Sequence, residues 1–444
     1  MDALEAKRKG RKVLLAGFLS NLSVGILYTW SNLKDAIEYT LDPATGERLY
    51  SAWDVSQLNM PYSIGGAVFA IFLIFAGRLQ DKIGPKKVMI LGISMVGLST
   101  IVSGLIVHIP ILFYITFGVV LGAGLAFVYD CPRPAAMKWF HPSKKGLING
   151  LVVAGFGLGA LWLGFVEVYL LESLGLSLET TLMILGGLIL VIGIPCAMNV
   201  IDPPKGYVPP TPEGYDPSKS KVAAKSPSVS LATTARTPQA WMLLVIYAFM
   251  CSAGALVISN ATDLMRVVPD GGETGIYAAT ILGILGLMVP LTSVTNSIGR
   301  ASGGIISDKI GRKQTYWLMH AIAALNMLGF AYVYNTPTLV VIGITLACVT
   351  YGSTLSVTPT IVADYFGLKN YGANYGLVYY GWGLSLIIGP TIAQYVKNEG
   401  LKAGLEGADL YKNAFLIAVA LIVVSAIIVT MLKQPKFKPE QIVD

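Results

Sequence analysis

Residues 77–84 read Gly-Arg-Leu-Gln-Asp-Lys-Ile-Gly, and residues 307–313 read Ser-Asp-Lys-Ile-Gly-Arg-Lys. The tetrapeptide Asp-Lys-Ile-Gly therefore occurs twice, 227 residues apart, each time between two long apolar runs. A second landmark repeats at a matching distance, since Asn149 lies 68 residues after Asp81 and Asn374 lies 66 residues after Asp308. Repeats at matched spacing indicate a duplicated structural unit.

The composition indicates a membrane protein. Of the 444 residues, 54% are hydrophobic and only 13% are charged, against about 25% in typical soluble domains. So few charges cannot cover the surface of a soluble chain of this length. Disordered, collagen-like and disulfide-rich classes have other compositions. The sequence therefore predicts an all-α integral membrane protein whose apolar surface faces lipid.

Apolar runs of about 20 residues are long enough to cross a bilayer as helices. Twelve such runs lie near residues 12–33, 55–77, 87–107, 109–132, 147–171, 178–200, 239–262, 276–304, 314–334, 337–363, 373–396 and 411–432. A Pro-, Ser-, Thr- and Lys-rich segment at 202–238 separates the first six from the last six, and such a segment cannot bury a core. We therefore expect an N-terminal six-helix half at 1–201, a cytoplasmic central loop at 202–238 and a pseudo-symmetric C-terminal half at 239–444.

The Lys and Arg residues give the predicted orientation. With the N-terminus inside, 24 of the 32 lie in cytoplasmic tails and loops and 6 lie in outer loops. Because cytoplasmic loops carry an excess of Lys and Arg, we expect a protein of the cell inner membrane with both termini in the cytoplasm. The remaining two, Arg133 and Arg300, fall inside spans.

The same features argue against several functions. The net charge of +7 reflects topology rather than a basic surface for nucleic acid. The three histidines and four cysteines are scattered, so we expect no metal site. The sequence has no paired carboxylates or nucleophile–base pair at a membrane face and no Walker A motif. An enzyme, a cofactor-dependent protein and an ATP-driven pump are therefore disfavoured.

The loops after the second and eighth runs resemble the paired signature of the major facilitator superfamily, and this resemblance covers the whole chain. Asn296 and Arg300, followed by Ser-Asp-Lys-Ile-Gly-Arg at 307–312, resemble more narrowly the oxalate–formate antiporter family and its monocarboxylate-transporter relatives. Residues that extend this match are Tyr129, Trp139-Phe140, 154–159 and Tyr351-Gly352. The resemblance implies the twelve-helix major facilitator fold and secondary transport of small anions by alternating access.

Arg300 is the leading candidate for the substrate site. A charge at membrane depth costs roughly 3 kcal/mol on insertion scales, and a carboxylate bound bidentately by the guanidinium offsets that cost. A structural arginine paired with a carbonyl or an acidic residue is the alternative. In the relatives that this chain resembles, a span-8 arginine binds the substrate carboxylate. Asn296 lies one turn earlier on the same helix face and is expected to orient Arg300 or to contact the substrate.

Trp382 bears on the charge of the substrate. The resemblance places a lysine of the oxalate carrier at this position, where it supplies a second positive charge for a dicarboxylate. A single cation favours a monoanion such as lactate, pyruvate, formate or acetate. A dicarboxylate/monocarboxylate exchanger of the oxalate:formate type is the alternative.

Arg133 leaves three interpretations open. An internal ion pair with Asp130, three residues earlier, would neutralise both groups. A role in a gate is the second interpretation, because the segment lies near the cytoplasmic end of its span. A second cation for the substrate is the third. Asp130 is also a candidate proton carrier.

Aromatic side chains are expected to complete an apolar pocket for a short carboxylate, with tyrosine hydroxyls contacting the anion. The candidates are Tyr28, Trp30, Tyr129, Phe156, Tyr351, Tyr379 and Trp382. The alternative for each is a lipid-facing position, where aromatic residues are also common.

The two repeated loops predict a gate. Asp81 and Asp308 can each accept hydrogen bonds from the N-terminus of a neighbouring helix or from a basic residue. Arg78 and Arg312 are the candidate partners. Charges that only set the topology are the alternative.

Together these features predict a secondary transporter of small monocarboxylates that is coupled to protons. The expected partners are a small organic anion, a proton or counter-anion, and the lipid bilayer. We expect a monomer without a cofactor or a nucleic-acid partner.

Overall fold

The computed structural model describes residues 3–42, 44–54, 58, 60–211, 228–266 and 288–442. Twelve long helical spans occur in this part of the chain, and ten of them are long and apolar enough to cross a membrane. Numbered in order, they are Glu5–Thr29, Met60–Ile83, Pro85–Leu105, Pro110–Trp139, Pro142–Leu171, Leu178–Ala197, Pro238–Ser259, Met288–Ile310, Arg312–Tyr332, Pro337–Phe366, Tyr371–Lys402 and Asp409–Met431. Spans 8 and 9 are the two described helices that are not apolar enough, because polar residues interrupt their apolar runs.

The prediction of an all-α membrane protein with twelve spans is confirmed. Residues 55–57 and 59 of predicted span 2, 276–287 of predicted span 8 and 212–227 of the central loop lie outside the described residues.

The repeated Asp-Lys-Ile-Gly segments form the same turn. Gly84 and Gly311 end spans 2 and 8 with φ of 81° and 98°, and the next span begins at the following residue. L-residues with a side chain rarely adopt such positive φ angles, so glycine is required at both positions. The sequence repeat is therefore also a repeat of backbone geometry.

The chain divides into two compact units. The first unit consists of Met1–His141, Val152–Pro212 and Asn370–Gly376, and the second of Pro142–Leu151, Glu213–Lys369 and Leu377–Asp444. The opening turns of span 5 thus belong to the second unit, and those of span 11 to the first. This assignment matters for the site, because it places residues from distant parts of the sequence in one unit.

Each unit contains one equivalent close contact between two glycines. In the first unit, a Cβ built on Gly77 would lie 2.1 Å from the carbonyl carbon of Gly372. In the second unit, a Cβ on Gly304 would lie 2.1 Å from the carbonyl oxygen of Gly146. Gly77 and Gly304 each precede the repeated aspartate by four residues. Only glycine lets these helix backbones approach so closely.

Spans 8 and 10 pack closely within the second unit. A Cβ on Gly299 would lie 2.3 Å from the carbonyl oxygen of Val349, and one on Gly303 would lie 2.7 Å from the Cα of Ser353. The Ser353 hydroxyl donates to the Gly299 carbonyl at 2.9 Å. This packing fixes the part of span 8 that carries Arg300.

The glycine contact in the second unit can be tested by substitution. Gly304→Ala is expected to lower the free energy of unfolding by roughly 1–3 kcal/mol, because the new methyl group would overlap the Gly146 carbonyl and the helices would have to separate. Gly187→Ala is the matched control, since a Cβ at Gly187 meets nothing within 4 Å. Thermal unfolding of the purified protein in detergent measures both. Equal melting temperatures for the two variants would contradict the close-contact assignment.

Candidate functional site

Arg300 is buried in the second unit, with 1% of its surface exposed. Its Nε donates to Asn296 Oδ1 at 3.1 Å, one helical turn earlier. Span 5 packs against the same turn, because a Cβ on Gly150 would lie 2.4 Å from the Arg300 carbonyl oxygen. The hydrogen bond to Asn296 holds the plane of the guanidinium in one orientation.

Asn296 connects Arg300 to span 10. A Cβ on Gly352 would lie 2.0 Å from the Asn296 carbonyl oxygen and 2.7 Å from its Oδ1. Tyr351, the preceding residue, packs its ring against Gly254 of span 7. Spans 5 and 10 therefore both pack against the turn of span 8 that holds Arg300, and span 7 packs against the neighbouring Tyr351.

Span 11 adds a stacked aromatic group to this region. The Trp382 Nε1 donates to the Tyr351 hydroxyl at 2.7 Å. The Trp382 ring stacks on Tyr379 at 4.7 Å between centroids, and Tyr379 meets Tyr247 edge-on at 6.1 Å. Five of the predicted site residues are thus linked within the second unit: Asn296, Arg300, Tyr351, Tyr379 and Trp382. Their side chains bring one guanidinium, one amide and three aromatic groups into this part of the second unit.

Three other predicted aromatics come together in the first unit. Phe156 meets Tyr28 at 5.4 Å and Tyr129 at 4.9 Å, both edge-on. Phe69, which the sequence analysis did not single out, contacts both Tyr129 and Phe156. Together these four side chains form an aromatic cluster.

Trp30 lies apart from this cluster. Its ring packs against Phe113 and Phe117 of span 4 at 6.0 and 5.2 Å. Among the described residues, its buried Nε1 has no hydrogen-bond partner. Tyr28 and Trp30 are two positions apart in the sequence, and residues at that spacing do not share a helix face. Their side chains therefore contact different neighbours.

Arg133 forms the ion pair with Asp130 that was one of the three interpretations. Its Nη2 lies 2.6 Å from Asp130 Oδ1, and both side chains are fully buried. The guanidinium also lies between the rings of Tyr129 and Tyr375, 4.4 and 4.2 Å from their centroids. Cation–π contacts of this kind stabilise a desolvated arginine. Arg133 is therefore held by one carboxylate and two aromatic faces.

Asp308 binds the beginning of span 5. Its carboxylate oxygens accept hydrogen bonds from the backbone N–H groups of Gly146 and Leu147 at 3.0 and 2.7 Å. The N-terminal N–H groups of a helix lack partners within the helix and favour a negative charge. The expected contact of Asp308 with a helix N-terminus is present in the second unit.

A buried charge network surrounds Asp308. Arg312 donates to Asp308 Oδ1 at 2.6 Å from Nη1 and to Asp364 Oδ2 at 2.9 Å from Nε. Lys145, in the first turn of span 5, lies 3.2 Å from the other carboxylate oxygen of Asp364. Two cations and two carboxylates therefore alternate at the junction of spans 5, 8, 9 and 10.

The equivalent loop in the first unit has no such network. Asp81 and Arg78 are exposed, and neither forms an ion pair within the described part of the chain. The sequence gives a reason, because Arg312 follows the turn glycine in the second copy whereas Pro85 follows it in the first. The two copies share a backbone but differ in their charges.

Several contact residues were not expected from the sequence. They are Phe69, Lys145, Tyr247, Asp364 and Tyr375, together with Tyr371, whose ring stacks on Tyr375 at 5.7 Å between centroids. Two signals were available, since Asp364 directly precedes Tyr365-Phe366, an aromatic pair like Trp139-Phe140 of the first half, and Tyr375 directly follows Asn374. The partners of these residues lie far away in the sequence, and local patterns do not reveal such contacts.

Comparison with known proteins agrees with this architecture. The family model described as Major Facilitator Superfamily matches residues 13–290 and 274–443. An uncharacterized MFS-type transporter of Escherichia coli, YhjX, is 29% identical over 376 residues, which cover 84% of this chain and 85% of that protein. The oxalate:formate antiporter of Oxalobacter formigenes is 26% identical over 414 residues, or 91% of this chain and 87% of that protein. The crystal structure of the transporter FucP in its outward conformation superposes with a TM-score of 0.63 and 17% identity, covering 95% of this chain and all of that one.

The buried charge network can be tested at Asp364. Asp364→Asn is expected to lower the free energy of unfolding by roughly 3–5 kcal/mol, because Lys145 and Arg312 lose the carboxylate that they share. Glu399→Gln is the control, since Glu399 pairs with Lys402 at an exposed position, where an ion pair contributes about 0–1 kcal/mol. Chemical or thermal unfolding in detergent measures the difference. A loss for Asp364→Asn no larger than that of the control would refute the network.

Proposed function

The chain belongs to the major facilitator superfamily, and we propose that this multi-pass secondary transporter carries small monocarboxylates of the lactate, pyruvate and formate type, coupled to protons, by alternating access. Arg300 is the proposed anchor of the substrate carboxylate. Asn296 orients it, and Tyr351, Tyr379 and Trp382 form the wall around the short carbon chain.

The observation that carries this proposal is the buried guanidinium of Arg300. An arginine inside a membrane span is costly and is characteristic of a substrate or ion pathway. A planar guanidinium matches the geometry of a carboxylate and binds it through two parallel hydrogen bonds. The hydrogen bond from Nε to Asn296 supports this role, because it prepares the orientation before the anion arrives.

The surroundings of Arg300 support a monoanion. The side chain at position 382 is an indole whose N–H is directed at Tyr351, so no second cation comes from this position. The other arginine inside a span, Arg133, is already paired with Asp130. One cation therefore faces one carboxylate in this proposal. The aromatic cluster of Tyr28, Phe69, Tyr129 and Phe156 is proposed to complete the apolar lining.

A second candidate function is exchange of a dicarboxylate for a monocarboxylate. The similarity to the oxalate:formate antiporter over most of both chains favours it. In that case a second cation has to reach the substrate, and Arg133 would have to leave Asp130.

Two further features belong to the same proposal. Asp308 and Arg312, with Asp81 and Arg78 in the other copy of the loop, are proposed as gate residues on the cytoplasmic side.

The excess of Lys and Arg in the assigned cytoplasmic loops supports an inner-membrane protein with both termini in the cytoplasm. We propose that it works as a monomer.

Uptake of labelled lactate, formate and oxalate into proteoliposomes, with and without a pH gradient, tests the proposal. We expect uptake of lactate or formate that an inward proton gradient stimulates. Oxalate/formate exchange without lactate uptake would favour the second candidate function instead.

Arg300→Lys tests the anchor. Lysine keeps the charge but loses the planar fork and the bond from Nε to Asn296, so we expect uptake to fall by about tenfold or more. Arg236→Lys is the matched control at an exposed position and is expected to behave like the wild type. Unchanged uptake by Arg300→Lys would show that Arg300 does not anchor the substrate carboxylate.

Trp382→Lys tests how this position sets the substrate charge. The new lysine adds a second cation, so the ratio of oxalate to lactate uptake is expected to rise by about tenfold. This rise corresponds to roughly 1.4 kcal/mol of difference between the binding of oxalate and of lactate. Trp382→Phe is the control, because it removes the indole N–H without adding charge. An equal ratio in both variants would show that position 382 does not select for charge.

A further inference from the structure

Glu167 is a buried carboxyl group in span 5 that the proposed anchor, the gate and the aromatic cluster do not use. Its side chain has no exposed surface. It is also the only acidic residue within residues 142–171, the whole of span 5. Ionisable residues inside membrane spans are rare and mark functional sites.

The partners of Glu167 are two neutral hydrogen-bond donors, one at the end of span 1 and one in the helix Trp30–Tyr39 that follows it. Thr29 Oγ1 donates to one carboxyl oxygen, and Asn32 Nδ2 donates to the other at 3.2 Å. Gly164, one turn before Glu167, faces the same two side chains, since a Cβ there would lie at ordinary contact distance, 3.7 Å from Thr29 Cγ2 and 3.6 Å from Asn32 Nδ2.

The elements around Glu167 carry other charged groups, and none of the described ones bonds to it. The helix Trp30–Tyr39 contains Lys34, Asp35 and Glu38, and among the described side chains Lys34 and Glu38 form no bond to Glu167. Glu179, at the start of span 6, instead binds Tyr50 and His108 at 3.0 Å each. Span 5 has no ionisable side chain between Lys145 and Glu167. No described cation neutralises this carboxyl group.

The geometry points to Glu167 as the proton-binding site of this transporter, an inference that rests on the proton coupling proposed above. A carboxyl group without a cationic partner avoids a buried charge when it binds a proton. The coupling step is then the transfer of one proton from water to a Glu167 oxygen and its release on the other side of the membrane.

Thr29 suits both protonation states of Glu167. Its Oγ1 lies within hydrogen-bond distance of the carboxyl group and also 2.9 Å from the Ile26 carbonyl oxygen. When Glu167 is ionised, the hydroxyl donates to the carboxylate. When Glu167 is protonated, the carboxyl O–H donates to Thr29 Oγ1, and the hydroxyl turns to donate to Ile26. The Thr29 hydroxyl therefore keeps a hydrogen bond to Glu167 in both states.

The same turn connects Glu167 to the aromatic cluster. Span 1 changes from an α-helix to a 3₁₀ turn over Gly25–Thr29, and this turn contains both Tyr28 and Thr29. Tyr28 packs on Phe156, while Thr29 bonds to Glu167. A Cβ on Gly25 would lie 2.4 Å from the carbonyl carbon of Gly159, so the turn is packed directly against span 5. Proton binding and the cluster proposed to line the substrate site therefore act on adjacent residues.

Glu167→Gln in proteoliposomes separates proton coupling from substrate binding. The amide keeps the shape of the side chain but cannot take up and release the proton. We expect exchange of labelled for unlabelled lactate within about twofold of the wild type, together with loss of the stimulation by a pH gradient. Glu179→Gln is the matched control and is expected to retain the stimulation. Stimulation of Glu167→Gln by the gradient equal to that of the wild type would overturn the inference.

A readout that needs no substrate keeps the two proposals distinguishable. Infrared difference spectra between acidic and alkaline pH report the carbonyl stretch of protonated carboxyl groups. We expect one such band in the wild type to be absent in Glu167→Gln and present in Glu179→Gln. A band unchanged in Glu167→Gln would exclude Glu167 as the proton site, even where lactate uptake is confirmed. Loss of the band in Glu167→Gln, together with a wild type that does not transport lactate, would overturn the proposed substrate. It would still support Glu167 as the proton-binding site.

Discussion

The structure depends on how it compensates charges that its helices carry into an apolar environment. An uncompensated charge at membrane depth costs several kcal/mol, so each buried ionisable group needs a partner or a function. Arg133 is held by Asp130 and two tyrosine rings. Arg312 is held by Asp308 and Asp364. Arg300 donates to the side-chain amide of Asn296, and we propose that its guanidinium holds an anionic substrate.

The close backbone contacts are the second condition for this arrangement. Asp308 reaches the N–H groups at the start of span 5 because position 146 is a glycine, where a Cβ would lie 2.6 Å from Asp308 Oδ1. Gly352 likewise allows the Asn296 backbone to contact span 10. The small residues thus determine where the charged ones can meet. A change in a glycine contact is therefore expected to alter the charge network before it alters the apolar packing.

The fold was largely predictable from the sequence, whereas the site was predictable only in part. Twelve apolar runs and a duplicated turn are local signals, and Gly84 and Gly311 repeat in geometry as they do in sequence. The spacing of Asp130 and Arg133 made their ion pair one of three interpretations, because residues three apart share a helix face. Tyr375 could not be predicted as a partner of Arg133, since 242 residues separate them. Trp30 was grouped with Tyr28 although they face different neighbours, because Tyr28 lies in the 3₁₀ turn Gly25–Thr29 whereas Trp30 begins the next helix. Glu167 had a signal, as a lone acid in an apolar span, but its meaning depends on Thr29 and Asn32 from another helix.

Binding of lactate and of its neutral amide to the purified protein tests the central claim most directly, because the two ligands differ only in the charged group that Arg300 is proposed to hold. Calorimetric titration of the wild type and of Arg300→Gln with both ligands gives four affinities. Tighter binding of lactate than of lactamide by the wild type, with the difference abolished in Arg300→Gln, is the predicted result. A preference for lactate that survives in Arg300→Gln would contradict it.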